Sequence, residues 1–201
     1  MAGVRACRED RHAGCVAGLH LPPHPMRHLL LLLLAACLLP LPADAGAADA
    51  PPLAVLDLEL VDEHHNPATL ADQQRRLAEA GEQLRRELVA VGAYRVVDAA
   101  PAAPLIARLR AQHEYLYRCD DCADQVGRAL GTRLVMTAWV QKVSELILNV
   151  NLQVRDVETG RLVLTKSADM RGNRDESWRR AVHFLVRDLA ERRALDPGYG
   201  R

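Results

Sequence analysis

The sequence predicts an α/β fold of the α+β sandwich type: a mixed five-stranded sheet with helices mainly on one face. Three observations predict it. An apolar run at 53–60, a long helical repeat and a short second run at 94–99 give the order of a parallel β-α-β crossover. Three alternating segments between 132 and 170, divided by short turns, read as an antiparallel three-stranded meander. A closing amphipathic segment supplies a further helix for the sheet. The predicted element order is β-α-β-α-α-β-β-β-α.

The first strand is "LAVLDLEL" (53–60). Strict alternation puts Leu56, Leu58 and Leu60 on one face and Val55, Asp57 and Glu59 on the other. The helix at 66–92 opens on Asn66 or Thr69 as cap, with Pro67 where a first turn tolerates proline. Leu70, Leu77, Leu84, Leu88 and Val91 recur at helical spacing, and Gly92 stops it. "YRVVDA" (94–99) is the second strand and "APAAP" (100–104) a connector. Apolar residues from 105 to 117 predict a helix, and 123–130 a shorter one stopped by Gly131.

The meander strands are 132–143, 145–157 and 161–170. In the middle one Leu146, Leu148, Val150, Leu152 and Val154 face one way, while Ile147, Asn149, Asn151, Gln153 and Arg155 face the other. Gly160 can take the positive φ that the hairpin turn before Arg161 needs. The last helix spans 173–192. Asn173 and Glu176 stand at capping-box spacing, and Trp178, Val182, Leu185 and Leu189 form its apolar stripe.

Residues 1–45 are read as outside the fold. From Met26, "MRHLLLLLLAACLLPLPADAG" has a short basic start, an apolar run and small residues at Ala43 and Ala45, the layout of a secretory signal. The run is shorter than the roughly 20 residues a spanning helix needs. On this reading 26–45 is the signal, 1–25 a mis-called extension, 46–52 a linker, 53–195 the single domain and 196–201 a disordered tail. A rival reading takes "LAAC" as a lipobox with Cys37 acylated, although "LLPLP" after it is not a polar tether.

Composition narrows the function. The chain has 201 residues, 49% of them apolar, which suits one domain with a core of its own. Aromatics are only 3%, so that core is mostly Leu, Val and Ala. Formal net charge is zero, against the strong positive field of a nucleic-acid binder. Removing 1–45 takes four basic and three acidic side chains and leaves a net charge of −1, with no polybasic membrane patch.

Cys119 and Cys122 are the only cysteines after position 45. In an oxidising compartment two such thiols normally pair, so a structural disulfide is expected. A thioredoxin-like centre would follow a strand and open a long helix, whereas a helix comes first here, and Asp120 and Asp121 raise a neighbouring thiol pKa. Ala123 stands where a haem-attachment motif has histidine. Zinc would need two further ligands. His113 lies six residues before Cys119, and His64, His65 and His183 lack metal spacing.

Arg171, Asn173 and Arg174 at a helix start are a candidate anion site, though Asp175 and Glu176 already serve the helix dipole. Asp57 and Glu59 are a candidate acid–base pair late on a parallel strand, with His64 and His65 following as metal candidates. The Asn149, Asn151, Gln153 row is a candidate partner face, or simply a solvated one. Ser144 and Ser177 lack a nucleophile elbow, and no phosphate-binding glycine loop is present.

"QKVSELILNVNLQVRDVETG" (141–160), "DMRGNRDESWRRAV" (169–182) and "RRLAEAGEQLRRELVAVGAYRVVD" (75–98) together resemble a family of secreted bacterial proteins known as a domain of unknown function. The resemblance covers roughly 53–193. It transfers no catalytic residues, and it implies partners in periplasmic quinoprotein dehydrogenase systems. The element order is also similar to the amino-terminal domain of TolB and to CsgG-like envelope domains, a likeness of topology that does not fix function.

The expectation is therefore an exported, non-enzymatic accessory or binding domain of the bacterial periplasm. It would act by contact with an unidentified periplasmic protein, without cofactor, metal or nucleic acid. It would meet a membrane only through its signal or a lipid anchor. The alternatives are a thiol–disulfide redox protein using Cys119 and Cys122, and a small-anion binder at Arg171–Arg174.

Overall fold

The first strand is interrupted by a single extra residue, which decides which side chains between 53 and 62 enter which core. In a computed structural model describing residues 50–64 and 66–201, β1 (Pro52–Val55) and β2 (Glu59–Asp62) both run parallel to one long strand. They pair with successive stretches of it. Val55 pairs with Met136, and Glu59 with Trp139, so the three residues 56–58 oppose only 137–138. That is a bulge in a parallel pair. It corrects the alternation expected for 53–60. Val55, Leu58 and Leu60 pack into one core, while Leu56 packs into another on the opposite side of the sheet. The predicted signal 26–45, the stretch 1–25, Cys37 and His65 lie outside the described residues.

Asn66 caps a short 3-10 turn by accepting the Ala68 N–H, with Pro67 at its start. The main helix α1 (Leu70–Ala90) comes next and buries Ala80, Leu84 and Leu88. β3 (Arg95–Val97) then pairs in parallel with β1. α2 (Ala103–Gln112) is shorter than expected. The chain leaves it at His113 and makes a separate 3-10 turn at Leu116–Arg118 before α3 (Cys122–Leu130).

β4 (Leu134–Lys142), β5 (Ile147–Asp156) and β6 (Arg161–Arg171) form the expected antiparallel meander. Gly160 takes φ 67° in the β5–β6 turn, as the hairpin requires. α4 (Asp175–Leu195) closes the fold and buries Trp178, Val182, Leu185 and Leu189. Its N-cap is Arg174, without a side-chain capping bond, so the capping box read from Asn173 and Glu176 does not form. Gly172 turns the chain at φ 80°, and the Asn173 amide oxygen accepts the Trp178 indole N–H instead.

The strand order is β3-β1-β4-β5-β6, with β2 also on β4. The sheet thus has six strands in five positions. Helices cover both faces, not mainly one. α1 and α4 pack with Leu53, Met136, Val150 and Leu152 in the larger core. α2 and α3 pack through Leu109 and Val126 against Ala54, Leu56 and Val135 on the reverse. The preference for right-handed crossovers explains the split. The α1 crossover moves from β1 out to β3, and the α2–α3 crossover moves back past β1 to β4, so the two fall on opposite faces. The parallel part of the sheet is consequently buried on both sides.

The closing residues 196–201, read from sequence as a disordered tail, fold back onto the domain. The Tyr94 hydroxyl donates to the Gly200 carbonyl, and Arg193 donates to the Tyr199 carbonyl at 3.0 Å. The Arg193 guanidinium also lies 4.4 Å over the Tyr94 ring. Among the described residues, no helix is long and apolar enough to cross a membrane.

Candidate functional site

The reverse face of the sheet is covered over β1 and the start of β4, and open over much of the meander. On that face three cross-strand rows run from β4 to β6: Thr137, Gln153, Thr165; Trp139, Asn151, Ser167; and Gln141, Asn149, Asp169. Asn149, Asn151 and Gln153 are half-buried, while Thr165, Ser167 and Asp169 are exposed. The three predicted partner-face residues therefore do share one surface. Asn151 donates its amide to the Asn149 side-chain oxygen. Gln153 turns instead toward the covered part and donates to the Tyr117 carbonyl at 3.0 Å. At the far end of the face Ile147 is 59% exposed, next to Leu146 at 73%.

The covered part ends in an aromatic wall. The Tyr117 ring stacks on Trp139 at 3.9 Å between centroids, Tyr115 packs on Tyr117 at 5.6 Å, and Arg118 lies 5.4 Å from both tyrosine rings. Glu59 builds this wall. Because of the bulge, its carboxylate points to the reverse face, where it accepts the Leu116 N–H at 2.8 Å and the Tyr117 N–H at 3.2 Å. Burial pushes the Glu59 carboxyl above its ordinary value, against the pull of those two donors and of Arg110. Asp57 sits at the bulge, exposed, and receives Arg85 at 2.6 Å and Arg110 at 3.5 Å. The two acids thus do separate structural work.

Sequence reading missed the aromatic wall. Trp139 stands at an outward position of β4, opposite in phase to Ala138 and Val140, and that misplaced aromatic was the available signal. The apolar residues of 105–117 predict a helix through Tyr117, whereas the residue sits in the 3-10 turn, where its side chain takes a different direction.

The residues proposed for anion binding are partly committed. Asn173 accepts from Trp178 and donates to Glu145 at 2.9 Å. Arg171 and Arg174 are exposed. The nearby Asp175 holds Arg75 and Arg76, which push its carboxyl down to about 2. Glu145 also takes Lys142 at 2.8 Å, and Lys142 reaches Asp62 at 3.1 Å. Burial pulls the Lys142 ammonium down, but its bonds to Glu145 and Asp62 outweigh that and hold it above its ordinary value. This knot ties β2, β4 and the start of α4 together.

Cys119 and Cys122 form a disulfide, with Cα atoms 5.5 Å apart, joining the 3-10 turn to the first residue of α3. Cys122 is fully buried and Cys119 half-buried. Among the described residues, His113 with these two cysteines is the one group of side chains whose potential metal-ligand atoms all lie within 4.8 Å of one another. His64 is engaged through its backbone N–H with Asp62, and Ser177 donates to the Arg171 carbonyl at 3.1 Å.

Comparison with known proteins places the chain. Residues 51–189 match the model of a family described as "Protein of unknown function (DUF2380)". The chain belongs to that family. Family membership agrees with the resemblance carried by 75–98, 141–160 and 169–182. Solved structures to which the chain is similar include the LpoB C-terminal domain from Salmonella enterica, 17% identical, with a TM-score of 0.46 over 61% of this chain and 83% of that one. TolB from Acinetobacter baumannii is 16% identical, with a TM-score of 0.42 over 74% of this chain and 29% of that one. Lipoprotein GNA1162 from Neisseria meningitidis is 16% identical, with a TM-score of 0.40 over 70% and 99% respectively. No curated protein matches the chain.

Proposed function

We propose that this family member is an exported, non-enzymatic accessory domain of the bacterial periplasm that acts by protein contact through the open reverse face of its sheet. One observation carries the reading: a half-uncovered row of amides, bounded by the Tyr115, Tyr117, Trp139 and Arg118 wall at one side and by exposed Leu146 and Ile147 at the end. Tyr, Trp and Arg are the residues that dominate binding energy at protein interfaces. Amides on a rigid sheet add directional hydrogen bonds at little entropic cost, because their backbone is already fixed. The signal layout at 26–45 supports export, and the partner would then be a periplasmic protein.

The thiol–disulfide reading is weaker on context. A 3-10 turn, not a strand, precedes the pair, and α3 has only nine residues. With Cys122 buried among Leu109, Leu116 and Val126, only half-buried Cys119 is open to exchange.

The test is capture from a periplasmic extract with wild type, Asn151→Arg and, on the exposed back of α1, Val89→Arg. The reading expects partners retained by wild type and Val89→Arg and lost by Asn151→Arg. Identical partners on all three would discard the sheet-face site.

A further inference from the structure

The sequence alone offers two cysteines as a disulfide and no obvious metal spacing, yet the fold brings a third ligand to them. His113 ends α2, Cys119 ends the 3-10 turn and Cys122 begins α3, so three separate elements converge. Their side-chain N and S atoms all lie within 4.8 Å of one another. The Asp121 carboxylate is 3.6 Å from the Cys119 sulfur.

We infer that the reduced form of this cysteine pair binds one thiophilic divalent cation of the zinc type, with Cys119, Cys122 and His113 as ligands and Asp121 or water completing the shell. Two sulfurs and one imidazole nitrogen are the donor set such a cation selects over harder ones. Cα atoms 5.5 Å apart let both sulfurs approach a cation about 2.3 Å from each. The charge also balances. With water as the fourth ligand, two thiolates and a divalent cation sum to zero, so the site does not leave an isolated charge beside the apolar cluster of Leu109, Leu116 and Val126.

The chemistry has two steps. A dithiol donor gives two electrons and two protons to the Cys119–Cys122 bond and leaves as its own disulfide, producing two thiols. The cation then displaces both thiol protons to solvent as two metal–sulfur bonds form. Disulfide and cation are mutually exclusive, because the same sulfurs serve both. Reduction therefore exchanges one cross-link of the α2–α3 region for another.

The experiment uses the protein carrying Cys7→Ser, Cys15→Ser and Cys37→Ser, so that the only thiols are the two in question. Cobalt(II) is titrated as the spectroscopic probe into oxidised and phosphine-reduced protein, followed by displacement with zinc. The inference expects one equivalent bound by the reduced form, with intense thiolate-to-cobalt charge-transfer absorption and visible bands of tetrahedral cobalt. The oxidised form should show neither. His113→Gln keeps the disulfide and the fold, and should weaken binding at least about tenfold, the low end of what even an outer-shell partner contributes. Circular dichroism of each reduced sample confirms that the fold is present. No binding by folded, reduced protein, equal binding by oxidised protein, or unchanged affinity in His113→Gln would each overturn the site.

Discussion

The two faces of β5 are made by the same ten residues and behave differently. Toward α1 and α4, Leu148, Val150, Leu152 and Val154 are buried along the whole strand. Toward the reverse face, Gln153 lies under the Tyr117 turn, and Asn151 and Asn149 run out past the edge of the cover. Alternation alone accounts for the first face. The second depends on where the α2–α3 crossover ends, and Glu59 decides that by holding the turn that carries Tyr117. A covered face argues for stability. A polar face that is covered only partway, with an aromatic rim, argues for contact with something else.

The sharpest way to test this contrast is to truncate neighbouring residues on opposite faces. Leu152→Ala removes a side chain that is 2% exposed in the larger core and should cost about 2–5 kcal/mol in denaturant unfolding. Asn151→Ala, one residue away, should change stability by no more than about 0.5 kcal/mol. Similar losses for both would erase the distinction between the faces.

The covered part of the reverse face should be tightly packed. A β-carbon on Gly127 would collide with a Val157 methyl and lie 2.9 Å from a Val135 methyl, so α3 approaches the sheet as closely as a glycine allows. Gly127→Ala should cost about 1–3 kcal/mol through overpacking, despite its better helix propensity. A stabilised variant would mean that α3 sits more loosely.

Smaller still is the effect expected at the boundary of the cover. Glu59→Ala leaves the Leu116 and Tyr117 N–H groups without their acceptor. It should cost about 1 kcal/mol, near the lower limit for an orphaned donor because this turn can open to water. The readout is Trp139 fluorescence, which should change as Tyr117 leaves its ring. An unchanged spectrum would show that the stack stands without Glu59.

The larger core is bordered by a carboxylate whose pH dependence has a definite sign. Arg133 bonds Asp156 at 2.8 Å and holds it at about 2, below its ordinary 3.8. The folded state therefore keeps Asp156 ionised more readily than the unfolded chain does. Its contribution is fully present above about 3.8 and fades as pH falls through 2. The stability difference between wild type and Arg133→Ala should narrow over that interval in acid unfolding. A constant difference would separate Arg133 from Asp156.

Local pattern was enough for the meander and the two long helices, because their apolar residues repeat with periods of 2 and 3.6. Asn149, Asn151 and Gln153 were legible as one face for the same reason. What was not legible depends on partners distant in the chain. The bulge at 56–58 appears only when β1 and β2 are matched to β4. The Tyr117–Trp139 stack joins residues on separate elements, and Glu59 reaches Leu116 across the whole first crossover. His113 joined the cysteines because α2 ended earlier than its apolar residues suggested. The helix expected at 123–130 matches α3 closely, whereas the one expected at 105–117 ends at Gln112, and no periodicity says which face of a sheet a crossover will cover.

The most direct measurement is a photo-activated cross-linker placed in turn at Asn151 and at Val89 in a bacterium that expresses the chain, with adducts read by mass spectrometry. If the open amide row is the contact surface, position 151 yields a discrete protein adduct that position 89 does not, and Trp139→Ala diminishes it. A bare position 151 beside a reproducible adduct at 89 would put the working surface on the helical side and contradict the account.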